Sequence, residues 1–378
     1  KKSNISTNKF YGLSIVNNSF SFNGIGSLRY NNSFFGFLHL NIPFKKNNSE
    51  LSKNIEASGI GYQNTWMVFQ IARGNQGWGA GNDIDLAISQ NSEPYDYIML
   101  YSNYGKIRVN YLHGFLESID ENINRYINVR GIEWSNKKSL ILSLSETIIY
   151  SGKNRSFELG YLNPIGTHLE IEQNNRLKFG ERFSNAIWQM HIDFSFKRKS
   201  RISLNYLIDE YTFDPNEFKD DNGIAYAIKY LYSFIKSDSK IINIYFSRIY
   251  VGTPTFRHPQ STNNFVTQGK PLGWSWSDGC QNKIGVIARS KNKIINEIGL
   301  SQIKTGEENI IKSPYGGPKD YLKGAFPSGD TVKYYSLDNA FYWNFKQNIS
   351  FNVNTSIEYS INHKSKLDIS VNMIFMLK

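Results

Sequence analysis

LDNAFYWNFKQNISFNVNTSIEYSI, residues 337–361, alternates apolar and polar side chains almost without a break. Leu337, Phe341, Trp343 and Phe345 share the odd positions with Asn339, while Asp338, Asn344 and Lys346 take even ones. After Gln347 and Asn348 the pattern resumes with Ile349, Phe351 and Val353, then Ile357, Tyr359 and Ile361. A period of two sustained this far, with a polar break inside it, predicts a hairpin of long strands, each with one apolar and one polar face. Leu367, Ile369, Val371, Met373, Phe375 and Leu377 then alternate with Lys366, Asp368, Ser370 and Asn372, a third strand of the same design.

The middle of the chain repeats it. Ala186, Trp188, Met190, Ile192, Phe194 and Phe196 face one way, and Gln189, His191, Asp193, Ser195 and Lys197 the other. A basic turn, KRKSR, leads to Ile202, Leu204, Tyr206 and Ile208, set against Ser203, Asn205 and Asp209. Ile224 to Phe234 and Ile107 to Phe115 continue the theme, and residues 9–23 also read as a strand. No heptad occurs, and no helix-period stripe longer than a couple of turns.

Composition agrees with an all-β chain. Aromatic residues make up 15% of the 378 positions, with 24 Tyr, 25 Phe and 7 Trp. These are strand-face residues. Lys and Arg number 43 against 32 Asp and Glu, a net charge of +11 that suits a polyanionic partner or a solvated basic surface. One cysteine, Cys280, leaves no disulfide framework and no thiolate cluster. No apolar run is long enough for a transmembrane helix, a test that strand-built membrane proteins escape. The chain starts at Lys1 without a basic-then-apolar leader, the look of a mature or trimmed product.

A soluble sandwich or solenoid also alternates, so strand length and face chemistry decide between them. Globular strands run about five or six residues, whereas membrane strands need roughly nine to eleven. Several runs here reach the longer figure, with aromatics such as Trp188, Phe196, Tyr230 and Phe234 towards the ends of their apolar faces. His191, Asp193 and Lys229 on the polar faces suit a wet lumen. The expectation is a single-domain, antiparallel outer-membrane-type β-barrel over residues 1–378, with on the order of 16 to 18 strands. Longer loops are expected near 45–60, 74–82, 162–184, 212–222, 252–282 and 305–330.

The glycine-rich stretch GNQGWGAGNDIDLAIS, residues 74–89, is no phosphate loop. Such a loop opens a helix, whereas here Asn82 to Ile88 alternate as a strand and place Asp83 and Asp85 where phosphate would be repelled. Trp66 to Ser89, with Arg73, the Gly/Trp connection and a returning strand ending AISQNSEP, resembles the signature region of the Wzi-type capsule assembly family, including its Ser-Asn-Ser-x-Pro-like corner at Ser89, Asn91, Ser92 and Pro94. KIRVNYLHGFLES, RYINVRGIEWS, YLIDEYTFD and FVTQGKPLGW resemble further strands and a Gly-x-Pro-Leu-Gly loop of that family, so the resemblance spans most of residues 64–360. It implies an outer-membrane barrel of about 18 strands that acts as a lectin-like holder of surface polysaccharide. In the family's better-studied members a periplasmic helical bundle precedes the barrel; here residues 9–23 already read as a strand.

Sugar binding asks for flat aromatic faces, amides and, for an acidic polymer, cations. Residues 252–282 offer Arg257, His258, Gln268, Lys270, Trp274, Trp276 and Asp278; the alternative is loop packing or an aromatic belt. Arg73, Trp78, Asn82 and Asp83 form a second candidate, against an invaginated structural turn. His113, His168, His191, His258 and His363 lack metal-ligand spacing, no Gly-x-Ser-x-Gly elbow occurs, and no motif asks for a cofactor. His191 and Asp193 share a strand face and, with Ser203, could mimic a hydrolase triad, but lumen filling is the simpler reading. The basic residues are dispersed, with no nucleic-acid motif. Surface polysaccharide and membrane lipid are thus the expected partners, a porin is the alternative function, and no oligomeric state is implied.

Overall fold

The computed structural model describes residues 5–377 apart from 18, 45–54, 80–84, 164–165, 167, 180–183, 210–222, 238, 291–292, 312–325, 347–348 and 361–364. Eighteen strands form one closed sheet. In chain order they begin with β1 (Ile5–Val16), β2 (Ser19–Tyr30), β3 (Phe34–Pro43), β4 (Ile55–Gln63), β5 (Met67–Gly74) and β6 (Tyr95–Tyr104). There follow β7 (Ile107–Ile119), β8 (Ile123–Ser135), β9 (Leu140–Lys153), β10 (Ser184–Phe196), β11 (Ser200–Ile208), β12 (Ile224–Lys236) and β13 (Lys240–Val251). A two-residue pair, β14 (Val266–Thr267) and β15 (Lys270–Pro271), stands apart from the barrel. The last five strands are β16 (Gly279–Ser290), β17 (Ile294–Thr305), β18 (Val332–Lys346), β19 (Ile349–Ser360) and β20 (Lys366–Leu377).

All pairings are antiparallel, and β1 meets β20 from Lys9↔Leu377 to Val16↔Ser370. Closure removes the unpaired edges that an open sheet would expose. One end of the barrel carries tight turns such as 31–33, 105–106 and 197–199. Asn31 and Asn32 show the chemistry of these turns: φ of 48° and 58°, with the Ser33 amide donating to the Tyr30 carbonyl at 3.1 Å, make a type I′ turn matched to strand twist. The other end carries the long connections, including 75–94, 154–183, 252–278 and 306–331. In outer-membrane barrels short turns are periplasmic and long loops extracellular, which orients the molecule.

The predicted faces hold on β10, where Trp188, Met190 and Phe194 are exposed while Gln189, His191 and Asp193 are buried towards the lumen. Ile228, Phe246, Ile284, Leu300, Leu337 and Ile357 continue an exposed apolar surface around neighbouring strands. In a bilayer that belt faces lipid. The barrel and its place in the bacterial outer membrane follow from closure, belt and loop asymmetry together.

Several sequence expectations need correction. Residues 9–23 are two strands, turned at Asn17 with φ of 46°. The 45–60 loop ends earlier, because Ile55 opens β4, and the 252–282 loop gives way to β16 at Gly279. Asp85 to Pro94 form bends and turns instead of a returning strand; Leu86, Ala87 and Ile88 are all buried, so the segment has no solvent face to alternate. Within 162–184 lies a helix, α1 (His168–Phe179), whose sequence HLEIEQNNRLKF has no apolar stripe for a helical period to reveal. The 212–222 expectation lies outside the described residues.

The β9–β10 connection folds outward. Paired residues alternate faces, so Tyr111, His113, Asn128, Arg130, Glu146 and Tyr150 share the outer face with lipid-facing Ile132, Leu144 and Trp188. Above the belt they are covered by the connection: Tyr161 stacks on Tyr150 with centroids 4.5 Å apart, and Phe157 on His113 at 3.8 Å. Glu146 accepts from Arg130 at 2.5 Å and from the Trp188 indole at 2.8 Å, and contacts His168 Nδ1 of α1 at 2.5 Å.

Candidate functional site

The described parts of the β5–β6 connection, residues 75–79 and 85–94, and the connection 252–278 fold the other way, into the lumen, and are stitched together. The Ser89 amide donates to the Leu272 carbonyl at 2.7 Å, and the Trp274 amide to Leu86 at 3.0 Å. Gly273 permits this approach, since a Cβ there would overlap the Leu86 carbonyl. Leu86, Ile88, Phe256, Phe265 and Leu272 form one buried cluster with Ile127, Val129, Ile149, Ile187 and Leu207 of the strands' inner faces. Buried Arg125 of β8 donates to the carbonyls of Thr262 at 2.6 Å and Asn264 at 2.7 Å and pairs with Glu117. Thus the FVTQGKPLGW segment is a small hairpin, β14–β15, turned at Gln268 and Gly269 with φ of 48° and 74°, that seats Leu272 in the core.

On the extracellular side of this plug, Pro271, Ser275, Trp276, Thr305, Glu308 and Asn309 line a cavity of about 500 Å³. Trp276 is half-buried, its ring 5.1 Å from that of Tyr334 of β18, and Asn309 is exposed. An indole edge, amide, hydroxyl and carboxylate around an open cavity are groups that can stack on a sugar ring and bind its hydroxyls.

The sequence-chosen residues part company here. Trp276 lines the cavity, whereas Trp274 packs against the plug core, so the two do not form one platform. Arg257 is 1% exposed and pairs with Glu308 at 2.8 Å; it sets the position of a cavity carboxylate and cannot itself reach a polymer. The His258 amide donates to Asn264 Oδ1 at 2.8 Å, and its Nδ1 accepts from the Gln260 amide at 3.0 Å, a loop-shaping role. Lys270 is exposed and paired with Glu93. Arg73 stands on the outer wall beside Asp96 at 3.2 Å, across the sheet from Trp78. Asn82 and Asp83 lie outside the described residues.

Trp78 enters the lumen. A Cβ at Gly131 would come within 2.6 Å of its Cζ2, so this glycine in β8 makes room for the indole. Below it, Asn110, Glu133, Ser143, His191, Asp193 and Arg201 line a polar cavity of about 300 Å³. His191 contacts Asn205 Oδ1 at 2.5 Å and Ser145 Oγ at 3.1 Å, while Asp193 is held by Arg201. His191 and Asp193 are therefore engaged separately, not aligned with Ser203 as a nucleophilic triad. Glu308, Asn309 and Tyr334 carry no sequence signal for the outer cavity, whereas Trp78, His191 and Asp193, singled out in the sequence, all line the inner one.

No family model and no curated relative matches the sequence. Among solved structures the chain is similar to Wzi, described as an outer-membrane protein involved in group 1 capsule assembly in Escherichia coli and a carbohydrate-binding β-barrel. The TM-score is 0.61 at 14% identity, over 99% of this chain and 84% of that one. It is also similar to Pseudomonas aeruginosa OprD (TM-score 0.52, 7% identity, 100% of this chain and 95% of that one). Pseudomonas aeruginosa OpdO gives 0.51 at 8% identity, over 99% and 96%. At these identities the likeness establishes an outer-membrane barrel fold.

Proposed function

We propose that this is a lectin-like barrel that binds capsular or other surface polysaccharide at its extracellular end and helps attach or assemble it there. The observation that carries the reading is the plug: two connections occupy the extracellular part of the lumen and leave an open cavity edged by Trp276, Glu308 and Asn309, with Pro271, Ile310 and Ile311 also in its lining. The likeness to a carbohydrate-binding barrel supports it. Stacking on Trp276 supplies short-range contact. The +11 charge supplies long-range attraction for an acidic polymer, which salt weakens as the Debye length shortens to about 8 Å. Binding, not hydrolysis, is the activity proposed.

The test is cell-bound against shed polysaccharide. Trp276→Ala with Asn309→Ala should shed polymer without lowering its synthesis or the barrel's abundance, while Trp274→Ala should act through plug stability. A full deletion that leaves retention intact removes the proposal. Diffusion through the barrel is the second reading, favoured by a cavity of about 490 Å³ between β16–β20 and β1, lined by Lys283, Glu297, Asp338, Asn354 and Ser356. It predicts solute uptake that falls on deletion while polysaccharide retention does not change.

A further inference from the structure

The outer wall of β13–β18 carries cations at its extracellular margin, where Phe326 of the connection after β17 packs on Tyr250 with ring centroids 4.4 Å apart. On β13, Arg248 follows exposed Ile244 and Phe246 on the outward face. On β17, Lys304 follows exposed Ile298 and Leu300, and on β18, Lys333 precedes exposed Tyr335 and Leu337. All three therefore stand on the lipid-facing side, at the extracellular margin of the apolar belt. In register Lys304 pairs with Lys333, while Arg248 pairs with Asn282 and Asn282 with Gln302, two residues before Lys304 on β17. Tyr226, Tyr250, Tyr335 and Tyr359 stand on the same outward faces beside them, in the place of an interfacial girdle.

Like charges directly opposite one another destabilise a sheet, so Lys304↔Lys333 is a costly pair unless an anion lies between them. Arg248 donates Nε to the Tyr226 hydroxyl and Nη1 to Asn282 Oδ1, both at 3.2 Å, which aims the guanidinium without neutralising it. Among the described residues none of the three pairs with a carboxylate, although Glu307 and Asp330 lie just beyond the strand ends. Several other cations of the barrel wall pair with carboxylates: Arg73 with Asp96, Arg108 with Glu133, Arg130 with Glu146, and Lys283 with Asp338.

We propose that Arg248, Lys304 and Lys333 form a binding site for a phosphate of an anionic, lipid A-type glycolipid in the outer leaflet. The site faces the membrane, not the external medium, and sits at the depth of its headgroups. A phosphate between the lysines converts a repulsive cross-strand pair into two charge-assisted contacts. The planar Arg248 offers a further donor fork.

The experiment measures binding of bisphosphorylated lipid A and of dephosphorylated lipid A to the full chain in detergent, by native mass spectrometry, with inorganic phosphate as competitor. The wild type should prefer the phosphorylated lipid. The triple variant Arg248→Gln, Lys304→Gln, Lys333→Gln should bind it on the order of 100-fold more weakly, because each basic residue near an anionic headgroup contributes about fivefold. Heat-dependent migration on a gel checks folding, and if the triple variant misfolds, Lys304→Gln alone should still cost about fivefold. Equal binding of the two lipids, unchanged affinity in the folded variants, or equally tight binding of inorganic phosphate overturns the proposal.

Discussion

At one height on β8 and β9 both faces of the wall are buried, and most of the charged and amide side chains lie on the outer one. Inside, Ile127, Val129 and Ile149 meet the apolar plug. Outside, Asn128, Arg130, Glu146 and Tyr150 lie under the β9–β10 connection: Asn128 donates to the Tyr161 carbonyl, Arg130 to the Asn163 carbonyl, Glu146 contacts His168, and the Arg155 guanidinium sits over the Tyr150 ring. A water-filled barrel in bare lipid would reverse this assignment. What covers a strand face, and not which way it points, decides the residues it carries.

The largest expected effect breaks the outer, polar side. Glu146→Ala removes the acceptor of Arg130, His168 and Trp188 at once and should destabilise the barrel by about 3–5 kcal/mol, because it leaves a buried cation uncompensated. Denaturant midpoints in detergent or lipid vesicles would read this. A loss under about 1 kcal/mol would mean that the connection does not seal this face.

Lower on the same wall the belt should behave as membrane. Met190→Arg should cost roughly 2–4 kcal/mol, whereas Asn354→Arg in the open part of the lumen should cost much less. Gln189 is a poor lumen control, being packed beside His191 and Ser145. Vesicle refolding titrations compare the two variants, and equal penalties would contradict the belt.

Two smaller effects sharpen the inner side. Gly131→Ala should displace the Trp78 indole and cost about 1–3 kcal/mol by overpacking, with a shift in tryptophan emission that a Trp78→Phe background abolishes. Lys270→Gln, which removes an exposed pair with Glu93, should change stability by under about 1 kcal/mol. A larger loss there would show the plug rim to be tighter than its exposure suggests.

The barrel was legible because alternation over Leu337–Ile361 and Ala186–Phe196 is a local property of each strand, repeated until only closure accommodates it. The plug was legible only in part. Arg257, Lys270, Trp274 and Trp276 lie in one stretch of sequence, yet folding buries the first, pairs the second and turns the tryptophans to different surroundings. Those outcomes depend on contacts with Glu308, Glu93, Leu86 and Tyr334, each distant along the chain. The covering connection was invisible for a related reason: Tyr111 and His113 continue the alternation of a lipid-facing strand whether lipid or protein lies over them.

The central claim is that protein, not water, occupies the extracellular part of the lumen, and conductance across a planar bilayer tests it most directly. Replacing residues 256–273 by a short Gly-Ser connection removes Phe256, Phe265 and Leu272 from the plug. Wild-type protein should pass little current and the shortened variant many-fold more; a wild type that conducts as freely as the shortened barrel would contradict the account.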